Sequence, residues 1–76
     1  MTVTIGNRQL AARARDLAER APRGTLERRG AGVLSIALGT TLSATAARKV
    51  LAEVDQDDIR ARAEEILAEL LDGSSP

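Results

Sequence analysis

The chain has no cysteine, no histidine and no phenylalanine, tryptophan or tyrosine among its 76 residues. Without cysteine, no disulfide or thiolate metal site can staple the fold. Without histidine as well, ordinary structural zinc sites are excluded, and neither metal nor cofactor is expected. The missing aromatics remove the stacking platforms with which RNA and single-strand binding modules hold bases. Lys49 is the only lysine, so acid–base chemistry would fall to carboxylates. Neither an enzyme nor a small-molecule substrate is expected. The start, MTVTIGNRQL, lacks the basic region and apolar core of a secretory signal, which makes the cytoplasm the default location.

What remains for a core is Leu, Ile and Val, padded with many alanines. Burying one such aliphatic contributes roughly 1.5–3 kcal/mol, against about 1–2 kcal/mol of backbone entropy per ordered residue. A single domain this small is marginal alone, so burial against a partner, most simply a homodimer, is expected. Alanine-rich faces let helices approach closely and favour all-helical packing.

Net charge is zero, yet the charges are segregated. Residues 1–50 hold nine basic and three acidic side chains, and residues 51–76 hold two and eight. A basic front suits polyanions and an acidic back suits a basic protein partner. The alternative is that the two ends simply pack on each other, pairing charges as helical domains often do.

Thr2-Val3-Thr4-Ile5 alternates polar and apolar residues, as a short strand or an extended leader does. Asn7 is a candidate cap. Leu10, Ala14, Leu17, Ala18 and Ala21 then recur at helical spacing over about 8–21, ending at Pro22 and Gly24. Thr25 is placed to cap a second helix, 26–38, with Leu26, Gly30, Val33, Leu34, Ala37 and Leu38 inward. Gly30 and Gly32 weaken it and move its start toward Gly32, and Gly39 reads as its stop. Ser43 opens a third helix, 43–54, with Ala46, Ala47, Val50, Leu51 and Val54 inward. In Val54-Asp55-Gln56-Asp57-Asp58-Ile59, Asp55 reads as a cap, Asp58 as its box partner, and Val54 with Ile59 as a staple. The fourth helix, 55–72, carries the stripe Ile59, Ala63, Ile66, Leu67 and Leu70 as a partner-binding or dimerisation face. The expectation is one all-α domain over residues 1–72, a small bundle of about four helices, with 73–76 a disordered tail.

Residues 30–47 hold no charge and are flanked by Arg28-Arg29 and Arg48-Lys49. Their three glycines and five serines or threonines argue against a membrane span. In this run Ile36-Ala37 forms an apolar-small pair, Leu42 can close a turn and Ser43 can cap. Ser43 to Leu51 reads Ser-x-x-x-Ala-Arg-Lys-Val-Leu. On these residues the stretch resembles the helix-turn-helix of bacterial DNA-binding regulators, with Ala47, Val50 and Leu51 at the buried positions of the recognition helix. Thr40 and Thr41 depart from the apolar residue and glycine usual in that turn. The resemblance implies double-stranded DNA as partner. Ser43, Ala44, Thr45, Arg48 and Lys49 would meet the major groove or phosphates, with Arg13 and Arg15 of the first helix added as phosphate contacts. The opening Thr-Val-Thr-Ile and the following helix resemble, secondarily, ribbon-helix-helix antitoxins, which would put Thr2 and Thr4 in the groove.

The working expectation is a small, dimeric DNA-binding transcription regulator with its reading unit in residues 33–54. The alternative is a helical protein–protein interaction module, antitoxin-like or an adaptor, without nucleic-acid binding.

Overall fold

A computed structural model describes residues 6–72. Its order is α1 (Asn7–Arg20), α2 (Leu26–Gly39), α3 (Ala44–Leu51) and α4 (Asp57–Asp72), with no strand among the described residues. The chain is thus a small all-α bundle. The strand or leader expected at residues 2–5 and the tail at 73–76 lie outside the described residues.

α2 is the centre, packing against each of the other three helices. The reason is legible in its composition. Gly30, Ala31, Leu34, Ala37 and Leu38 are all buried, which combines two large side chains with three small ones. Large aliphatics fill the space between helices while small residues let neighbouring backbones come close. The fully buried large residues are Leu10, Leu34, Leu38, Leu51, Ile66 and Leu67. Ala14, Ala31, Ala37, Ala47 and Ala63 join them in the core. No side-chain N or O atom among the described residues is buried without a partner.

Local chemistry sets the corners. Gly24 adopts φ 82° in the turn between α1 and α2, a left-handed conformation that glycine reaches without a Cβ penalty. Thr25 follows with a double role: its Oγ1 accepts from the Arg28 N–H at 3.3 Å and donates to the Pro22 carbonyl at 2.7 Å. α2 then runs unbroken through Gly30 and Gly32, rather than starting near Gly32. Gly30 faces α4, where a Cβ would lie 3.2 Å from the Ala63 backbone nitrogen. Close approach of α4 therefore offsets the poor helix propensity there.

Asn7 does not cap α1. Gly6 holds the cap position without a side-chain hydrogen bond. Asn7 lies inside the helix, and its Nδ2 donates to the Thr41 carbonyl and hydroxyl, both at 3.1 Å. This ties the start of α1 to the turn after α2. That turn has no left-handed residue; Thr40 and Thr41 hydroxyls instead donate to the Ile36 and Ala37 carbonyls at 2.9 and 2.8 Å. Threonine hydroxyls close the end of α2 where Gly39 was expected to.

α3 is shorter than its apolar pattern, stopping at Leu51 because a turn over Ala52 and Glu53 follows. The corner into α4 also differs from the capping box. The Gln56 carbonyl accepts the first helical bond, from the Arg60 N–H at 2.9 Å, so the cap of α4 lies one residue later than Asp55 and the helix runs from Asp57. The Asp58 carboxylate accepts from its neighbour Ile59 instead, at 2.8 Å. Arg60 supplies the tie that the box was to make, donating to the Val54 carbonyl at 3.0 Å and to Asp57 at 2.6 Å.

Candidate nucleic-acid interface

Ser43 is extended, φ −150° and ψ 160°, and its Oγ accepts from the Ala46 N–H at 3.1 Å. One orphan donor of α3 is satisfied in this way. Ala47 and Leu51, one turn apart, are both fully buried and anchor the helix. Helical geometry then sends Thr45, Arg48 and Lys49 outward, and all three are exposed, as is Ser43, while Ala44 is half-buried. Because a short helix depends on its cap, Ser43→Ala is expected to cost about 0.5–2 kcal/mol. A fall in melting temperature measured by circular dichroism would show it, and an unchanged melt would refute the capping role.

The five α3 residues named from the sequence therefore share one short element. Arg13 and Arg15 do not join them. They lie on α1, roughly 9 and 12 Å beyond Asn7 at 1.5 Å per residue. Arg15 lines a groove between α1 and α2 that Arg13 does not line.

The apolar positions of the helix-turn-helix resemblance divide. Ala37, Ala47 and Leu51 are buried, but Leu42 is 100% exposed, Ile36 67% exposed, and Val50 is also exposed. Ile36 was readable in advance. Residues 30, 34, 37 and 38 define one side of α2, and at 100° per residue position 36 falls on the other. Leu42 gave no such signal, because it sits in a turn without periodicity.

The dimerisation stripe is corrected outright. Ile59, Ala63, Ile66 and Leu67 are buried in the chain's own core, and Leu70 packs partly against it. α2 covers the face that was reserved for a partner.

The two halves do pack on each other, α4 against α2. Among the described residues the ion pair joining them is Arg62 to Glu27 at 2.7 Å, with Glu65 at 2.9 Å and Glu69 at 3.7 Å on the same guanidinium. It pairs an arginine of the acidic half with an acid of the basic half, so the segregation is left intact. Hydrogen bonds with Glu27 and then Glu65 hold the Arg62 pKa above the ordinary arginine value. Among the described basic residues before Leu51, Arg20 alone forms an ion pair, with Asp16 at 3.0 Å. Arg8, Arg13, Arg15, Arg48 and Lys49 are exposed and without one.

No helix among the described residues is long and apolar enough to cross a membrane, and they hold no acidic cluster placed to bind a metal. The chain matches no protein-family model, no curated protein and no solved structure.

Proposed function

We propose that this chain is a small DNA-binding protein, a transcription regulator, that meets duplex DNA through α3. The observation that carries the reading is the open face of that helix. Thr45, Arg48 and Lys49 project from a helix anchored by Ala47 and Leu51, and neither cation has an acidic partner. Two free cations next to a hydroxyl suit phosphate contacts flanking a base edge.

Phosphate contacts release counterions, so duplex affinity should fall steeply with salt. The double variant Arg48→Ala, Lys49→Ala should weaken binding to all duplexes and reduce the salt slope by about two contacts, near 0.9 each. Fluorescence anisotropy over a salt series measures both. Absence of duplex binding at low salt, or a double variant that binds with the parent slope, would remove the reading.

A second reading, a helical interaction module in the same cellular setting, has its own observation. Leu42 and Ile36 are apolar, large and exposed. On that reading the surface used is not the α4 stripe, and the outward acids of α4, Glu64 and Asp72, would face a basic protein.

A further inference from the structure

We propose that a second copy of this chain docks antiparallel onto the α1 face of the groove between α1 and α2, forming a two-fold dimer. This groove is lined by Arg8, Ala11, Ala12, Arg15, Glu19 and Ile36, among others. The inference is independent of the DNA-binding reading.

Three observations carry it. Ile36 stands 67% exposed at the groove's edge, and beside it Ala11 and Ala12 on α1 allow another helix to come close. The charges along α1 are also self-complementary. Arg8 and Glu19 sit near opposite ends of the lining, eleven residues or roughly 16 Å apart, and neither has an ion pair within the chain. An antiparallel twin centred between Arg13 and Ala14 sets each Arg8 against the other copy's Glu19. The same axis sets Ala12 against Arg15, whose aliphatic stem can cover it.

The helix dipole supplies the third argument. Arg8 is the second residue of α1 and Glu19 its penultimate one; the first turn holds no acid. A cation at a helix start and an anion at its end both oppose the macrodipole. Within one chain these residues are misplaced. Beside an antiparallel neighbour each lies next to the opposite charge and the opposite helix end, so the second copy removes the conflict.

The test follows from the same physics. Arg8→Glu and Glu19→Arg each correct the dipole mismatch, so each variant should melt no lower than the parent as a monomer. Each also sets like charges against each other twice across the two-fold axis. Sedimentation equilibrium should show dimers for the parent, and a dissociation constant raised roughly tenfold or more for either variant alone. An equimolar mixture of the two should form mixed dimers close to parental affinity, because both contacts are then opposite in sign. Ile36→Asp, at an exposed position, should also give a folded monomer. A parent that stays monomeric up to about 1 mM, a dimer indifferent to both charge reversals, or a mixture that does not recover would each overturn the proposal.

Discussion

Replacing Ile66 by aspartate is expected to unfold the chain, not to separate two copies of it. Ile66 is fully buried, within one core with Leu34, Leu38, Leu51 and Leu67. The substitution removes an aliphatic whose truncation alone costs about 2–5 kcal/mol. It adds a carboxylate whose effective desolvation penalty is several kcal/mol more. Domains of this size are stabilised by roughly 0.05–0.15 kcal/mol per residue, or about 4–11 kcal/mol in all. The loss is therefore comparable with the whole stability. Far-UV circular dichroism at neutral pH should show most of the helical signal gone at 25 °C. A helical Ile66→Asp variant that melts like the parent would mean that α4 does not pack on α2 as described.

The two interior glycines of α2 should respond in opposite directions. A Cβ on Gly30 would meet the Arg62 side chain at 3.1 Å and the Ala63 backbone nitrogen at 3.2 Å. The arginine stem can shift, but a helical backbone nitrogen cannot move without carrying α4 with it. Gly30→Val is expected to cost about 1–3 kcal/mol by overpacking. A Cβ on Gly32 meets nothing within 4 Å, so Gly32→Ala should add about 0.5–1 kcal/mol through helix propensity and a less flexible unfolded chain. Urea unfolding of both variants decides the matter through their midpoints. A Gly30→Val variant as stable as the parent would show that the α2–α4 approach is looser than these distances imply.

Much of the architecture was readable from periodicity. Leu10 and Ala14 mark the buried side of α1, as Ile59, Ala63, Ile66 and Leu67 mark that of α4, because helical spacing reports which residues share a side. Thr25 and Ser43 were readable as caps for a related reason. A hydroxyl three residues before an unpaired N–H is a local relation that the chain carries within itself. The errors are equally physical. Asn7 has the chemistry of a cap but bonds to Thr41, thirty-four residues away. Asp55 lost the α4 cap position to Gln56 once Arg60 could tie the corner to Val54 and Asp57.

The site was less legible. That α3 could expose Thr45, Arg48 and Lys49 follows from Ala47 and Leu51 pointing inward. Whether that face stays open depends on where α1 and α4 lie. The stripe on α4 shows the same ambiguity in reverse. Its apolar spacing says that something covers it, and spacing alone cannot distinguish α2 of the same chain from a second copy.

The sequence by itself determined an all-α class, four helices, a charge distribution divided near Leu51, and most of each inward side, although Leu26 and Val50, expected inward, are exposed. These are properties of periodicity, capping and composition, which act over one or two helical turns. Only the tertiary structure decided that α4 closes on α2, that Gly30 lies against Arg62 and Ala63 of α4, and that the α3 cations form no ion pair. It also decided that Ile36 and Leu42 face outward. Those outcomes depend on which surfaces meet across more than thirty residues of chain, and such pairings arise from the fit of whole faces.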